Sequence, residues 1–185
     1  MKQTDVRINA DSIEILKSCI GKKLKSIKHD EFTFTNSSLQ AVELEIEDKK
    51  IYLYNLAEQR DYFGSIEDVA IFTVESEKYP FVENKEFINI PVNENIKKIF
   101  VIQENQKLFE NDEQIYDIWL TRGLIFDLDQ HQVAFKKAVW LSEDIYIQKG
   151  YNLIETFADT NDFCKAKNWG HAFRAECIRK VEEID

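Results

Sequence analysis

A chain of 185 residues is long enough to bury most of its unfolded surface in one core. Its 44% hydrophobic content, with thirteen Phe, seven Tyr and three Trp, excludes a disordered protein. A formal net charge of −10 weighs against a general binder of nucleic-acid backbones, and no apolar run approaches the ~20 residues that span a bilayer.

Asp5, Arg7, Asp11, Glu14 and Lys17 interrupt the first twenty residues, a pattern expected of neither a signal peptide nor an anchor. Asp11 followed by Glu14 has the polar spacing of a helix N-terminal cap. Ile13, Leu16 and Ile20 then recur at helical spacing, and Gly21 can take the left-handed closing turn, so a short helix is predicted over residues 11–20.

From Leu24 the period becomes two. Phe32 and Phe34, then Val42, Leu44 and Ile46, then Ile51 and Leu53 alternate with polar residues, as half-buried strands do. The sequence from Glu47 to Lys50 reads as a hairpin turn. Tyr62-Phe63-Gly64-Ser65 reads as another, leading into a strand over residues 69–75. Residues 77–95 contain both prolines, Pro80 and Pro91, and are expected to be irregular.

A strand is predicted over residues 96–103, then an acidic loop, then strands throughout residues 115–147. A hairpin falls at Asp129-Gln130-His131-Gln132, and Gly123 marks a bulge or turn. A short helix is expected at 160–168. Residues 172–184 fit both a helical stripe (Phe173, Cys177, Val181, Ile184) and a strand. The class is therefore α+β: a mainly antiparallel sheet with a short N-terminal helix and a short helix near the C-terminus, in one domain over 1–185.

Motifs with a built-in mechanism are missing from the sequence. There is no phosphate-cradling loop, no HExxH, no nucleophile elbow and no EF-hand, and glycines stand only at 21, 64, 123, 150 and 170. No cofactor is implied. Cys19, Cys164 and Cys177 are an odd set without CxxC spacing, which fits reduced thiols and a cytoplasmic setting. Asp127, Asp129 and His131 share one face of an extended strand and could ligate a metal, but at a hairpin the same residues serve as solvated turn residues. Cys164, His171 and Cys177 could pair a thiolate with an imidazole, against the commoner fate of small buried groups. The basic arm Lys17, Lys22, Lys23, Lys25 and Lys28 reads as a solvated helix end and edge.

Charge is unevenly distributed. Through Asp30 seven basic residues face four acidic ones, a net +3, leaving −13 for the rest. Glu104 to Asp129 carries seven acidic residues against Lys107 and Arg122, with Trp119 among them and Trp140 and Tyr146 on later strands. Acidic groups around aromatics suit capture of a basic protein surface, with charge steering the encounter and the aromatics anchoring it. The candidate partner-binding set is Glu110, Asp112, Glu113, Asp117, Trp119, Asp127, Asp129, Glu143 and Asp144. The function expected from it is that of a small acidic inhibitor or immunity-type protein that neutralises a basic partner such as a nuclease toxin.

A second reading is a small-ligand binder or enzyme whose site lies in a concave sheet without a linear motif. A pocket with convergent polar groups and perturbed titrations favours this second reading, and a flat acidic surface the first. A self-associating protein is a third.

Overall fold

Alternation of apolar and polar residues commits most of this chain to strands, and two-residue turns fold those strands into hairpins. The computed structural model describes residues 1–30, 37–137, 141–167 and 172–185. Phe32, Phe34, Trp140 and His171 lie outside the described residues. The elements in order are β1 (Lys2–Val6), α1 (Ala10–Lys17), β2 (Lys23–His29), β3 (Ser37–Leu39), β4 (Ala41–Ile46), β5 (Lys49–Tyr62), β6 (Ser65–Glu75), β7 (Ile88–Glu110), β8 (Glu113–Leu128), β9 (Gln132–Lys136), β10 (Asp144–Gly150), α2 (Thr160–Lys167) and β11 (Phe173–Glu183). Short 3-10 turns occupy Pro80–Val82 and Leu153–Thr156. No helix among the described residues is long and apolar enough to cross a membrane.

Two hairpins turn on residue pairs with positive φ: Phe63 and Gly64 at 54° and 91°, and Asn111 and Asp112 at 48° and 66°. That handedness matches the twist of the flanking strands. Gly64 is also required by space, since a Cβ there would lie 2.6 Å from the Tyr116 hydroxyl oxygen.

Three expectations are corrected. The N-cap of α1 is Asn9, not Asp11: its side chain accepts the Ser12 amide at 2.8 Å, and Asp11 sits inside the first turn. The proline-bearing segment rejoins the sheet at Ile88, and Pro91 is tolerated because it faces Ser26 at a register shift in β2. The expected acidic loop after residue 103 is strand: β7 continues to Glu110, and Gln103, Glu104, Asn105 and Gln106 are buried within it. The ambiguous last segment is the strand β11, antiparallel to β7.

The strand order is β3-β10-β9-β8-β7-β2-β4-β5-β6. Only Gln40 separates β3 from β4. Its amide donates to Glu143 O, and its carbonyl accepts from the Asn55 amide. The β3 end of the path therefore runs directly into β4, and the sheet closes on itself there, with β5 and β6 continuing beyond β4. The interior is apolar, with Leu24, Leu44, Leu53, Phe72, Ile96, Ile99, Phe126 and Phe135 in one buried cluster that Leu16 of α1 joins.

The β7–β8 hairpin outruns this ring. Beyond the span that β9 pairs, β8 gains β1 in parallel register, and beyond the span that β2 pairs, β7 gains β11. Between these regions the β7–β8 register shifts: Ile102 faces Gly123 but Gln103 faces Thr121, leaving Arg122 as the extra residue of a bulge. Gly123 beside it has no room for a side chain, because a Cβ would lie 2.3 Å from Phe135 O. The projecting β1-β8-β7-β11 sheet packs Ile118, Leu120 and Val6 against Tyr62 and Val69 of the β5–β6 hairpin. α2 covers Leu108 and Ala175 through Phe163.

Candidate functional site

Four consecutive polar residues inside a buried strand must find partners or destabilise the fold. Glu104 of β7 is the centre of the answer. One of its carboxylate oxygens accepts from Arg179 of β11, whose Nε lies 3.1 Å away, and the other lies 3.6 Å from Arg122 Nε at the β8 bulge. The Glu104 and Arg122 side chains are 4% and 6% exposed, so the pairing operates largely out of water. Two residues along the same face, Gln106 accepts the Tyr62 hydroxyl at 2.9 Å. Burial holds the Tyr62 phenol well above its ordinary range.

A pocket of ≈ 280 Å³ adjoins this network, lined by Lys136, Lys137, Tyr146, Thr156, Phe157 and Ala158. Arg179 links the two, donating to the Ala158 carbonyl and lying over the Phe157 ring with its guanidinium 5.7 Å from the centroid. Lys136 and Lys137 leave the chain in opposite directions, as successive strand residues do. The Lys136 ammonium donates to Thr156 Oγ1 and O, both at 3.0 Å, and to Gln148 Oε1 at 2.6 Å. Burial lowers its pKa.

Lys137 turns beneath the pocket to the Ala70 carbonyl, its ammonium 5.1 Å from the Phe72 ring centroid. Among the described residues no carboxylate forms an ion pair with it. Burial first, and the Arg122 charge second, pull its pKa down to about 7. Arg122 and Arg179 thus flank the Glu104 carboxylate, while Lys136 and Lys137 line the pocket that Arg179 borders. Asp159, exposed outside the pocket, accepts the Asn161 amide and side chain, which hold its carboxyl below the usual range, with the Arg179 charge a lesser cause.

The acidic residues singled out from the sequence do not form one patch. Glu110, Asp112 and Glu113 are exposed together at the β7–β8 turn, whereas Asp127 and Asp129 lie at the opposite end of β8. The β8 carboxylates of Glu113 and Asp127 are separated by roughly 45 Å of strand at about 3.3 Å per residue. Asp117, between them, accepts from Asn105 Nδ2. Trp119 is half-buried between Arg7 and Lys180, whose charged groups lie 4.9 and 4.8 Å from its ring centroid. Glu143 is a clamp: one oxygen accepts the Ala57 amide at 2.8 Å and the other Gln40 Nε2 at 2.9 Å, at the seam where the sheet closes. Asp144 pairs locally with the Ser142 hydroxyl.

Asp127, Asp129 and His131 serve the turn. Asp129 accepts the Asn95 amide and side chain, Asp127 accepts from Gln132, and His131 Nδ1 lies 2.9 Å from Glu94 Oε1. No group of three His, Cys, Asp or Glu among the described residues could hold a metal ion. Cys164 and Cys177 are free thiols packed between α2 and β11. Burial pushes both pKa values up, that of Cys177 to about 12, the reverse of what a nucleophilic thiol needs.

The residues missed from the sequence are the basic ones. Lys137 carried a usable signal, because Val133 and Phe135 point into the core and the next residue in that period is a lysine. No protein-family model, no curated protein and no solved structure matches this chain.

Proposed function

We propose that this protein binds a small anionic ligand in the pocket between β9, β10 and the 156–158 segment. The observation that carries the reading is a pocket of ≈ 280 Å³ lined by Lys136 and Lys137 and bordered by Arg179, which donates to the Ala158 carbonyl. This size is just under the roughly 300–1,000 Å³ usual for small-molecule sites, and apolar walls with a few converging polar groups are their common composition. A ligand carboxylate or phosphate would take a hydrogen bond from Lys136, while Phe157 and Tyr146 receive its apolar body.

The test is isothermal titration with pyruvate, benzoate and inorganic phosphate. Micromolar to millimolar binding by at least one anion, lost in Lys136→Met, supports the reading. Absence of heat with all three, or binding unchanged in Lys136→Met, overturns it.

A second reading, neutralisation of a basic protein, is favoured by the β7–β8 turn. Glu110, Asp112 and Glu113 are exposed there without an ion pair among the described residues. Reversing these three charges should abolish retention of a basic protein in affinity purification. Retention that survives reversal removes this reading.

A further inference from the structure

The turn between β8 and β9 lines a second pocket, of ≈ 320 Å³, that shares no lining residue with the anion pocket. Asp127, Asp129, Gln130 and Gln132 come from the turn, and Tyr151 and Asn152 from the chain just after β10. These walls are held in place before any ligand arrives. The Glu94 carboxylate accepts the Gln130 amide at 2.9 Å and lies 2.9 Å from His131 Nδ1. Gln132 Nε2 donates to Asp127 at 3.1 Å while its Oε1 accepts the Leu153 amide at 3.0 Å, which ties the turn to the 3-10 segment opposite. Such preorganisation lowers the cost of binding.

The lining suits a neutral, hydroxylated ligand. Lys97 Nζ lies 3.7 Å from Asp129 Oδ1 and Lys98 faces Asp127 across the β7–β8 pairing, so each carboxylate has a cation beside it. The Gln130 and Asn152 side chains, both exposed, each offer an amide donor and an acceptor. His131, which also lines the pocket, has a side chain 5% exposed whose Nε2 is buried without a hydrogen-bond partner among the described residues. A buried polar atom in that state needs an explanation. With Nδ1 donating to Glu94, the uncharged ring carries its lone pair on Nε2, where a hydroxyl donor is the complement.

Tyr151 supplies the other half of the recognition. At 74% exposure it is the most exposed of the large apolar and aromatic side chains among the described residues, so its ring face is free to stack on the C–H face of a sugar. An apolar hollow of ≈ 200 Å³ shares Gln132 and Asn152 with the polar pocket and is otherwise lined by Phe100, Ile125, Ile154 and Val181. We infer that this face binds a neutral glycoside, with the sugar ring against Tyr151 in the polar pocket and an apolar aglycone in the hollow beside it.

Titration calorimetry and saturation-transfer NMR with the methyl and phenyl glycosides of glucose, galactose and N-acetylglucosamine test this. At least one sugar should bind with a micromolar to millimolar Kd. Its phenyl glycoside should bind at least about fivefold more tightly than its methyl glycoside, because the phenyl ring buries more apolar surface. Tyr151→Ala, at a position too exposed to support the core, should weaken binding about tenfold or more. Lys136→Met, in the anion pocket, should leave it unchanged. No binding by any of these glycosides overturns the inference. So does binding that survives Tyr151→Ala, a phenyl glycoside no tighter than its methyl counterpart, or binding lost in Lys136→Met.

Discussion

Replacing Lys137 with Met removes a buried charge while keeping an unbranched side chain of similar length. The amine titrates at about 7 in the folded protein against 10.5 when unperturbed. Because the folded value is the lower, the unfolded chain binds more protons between these limits, and stability rises with pH across the window. At 1.36 kcal/mol per unit, the buried amine costs about 4 kcal/mol at pH 7 and about 1.5–2 kcal/mol less at pH 8.5. Above that, Cys177 acts oppositely: its folded value near 12 exceeds its ordinary 9, so ionisation of the unfolded thiol erodes stability.

Urea unfolding at pH 7 and pH 8.5 reads the difference directly. The native protein should gain about 1.5–2 kcal/mol between the two, and Lys137→Met should flatten that gain. At pH 7 the variant should be more stable by roughly 1–3 kcal/mol, after the lost hydrogen bond to the Ala70 carbonyl is set against the removed charge. A variant with the same pH slope as the native protein would refute the assignment of Lys137 as a buried, unpaired amine.

Ser12→Ala should cost about 2–3 kcal/mol in chemical denaturation, because the buried hydroxyl both donates to the Val74 carbonyl and accepts its amide, closing the free edge of β6. Glu104→Leu should cost about 3–5 kcal/mol by the same assay, since Arg179 and Arg122 lose the carboxylate between them. Gly123→Ala should lower stability by about 2–3 kcal/mol through the clash with the Phe135 carbonyl, read as a fall in Tm. Asn9→Ala should cost about 1 kcal/mol and Asp11→Ala much less, which separates the true cap from its neighbour.

What could be read from the sequence was whatever rests on local periodicity. β4, β5 and β6 have one face inside and one face outside, so Val42, Leu44, Ile46, Ile51 and Leu53 announce themselves by alternation, and the turns at Glu47 and Gly64 follow. β7 was harder because its second half buries Gln103, Glu104, Asn105 and Gln106, whose partners come from β5, β8 and β11. Hydropathy cannot register polar residues satisfied across such sequence distances. The acidic stretch failed as a single face for a related reason: in an extended hairpin, residues adjacent in sequence span the molecule, so a charge run becomes a line with two distant ends. Glu143 shows the same blindness, since nothing local distinguishes a solvated carboxylate from one holding Gln40 and Ala57.

The bulge at Arg122 explains why the polar network and the apolar packing beneath the β5–β6 hairpin coexist on one surface. Toward Leu128, Ile102 faces Gly123; had that register continued toward the turn, Glu104 would face Thr121 and Gln106 would face Trp119. The extra residue slips the pairing by one, so Glu104 faces Leu120 and Gln106 faces Ile118 instead. Leu120 and Ile118 are thereby turned under Tyr62 and Val69, while Trp119 is turned to the opposite face between Arg7 and Lys180. The inserted residue is itself an arginine, and its guanidinium reaches back to Glu104. One bulge thus bends the hairpin out of the closed ring, sorts the apolar residues of β8 onto the covered face, and delivers a cation to the buried carboxylate beside the pocket.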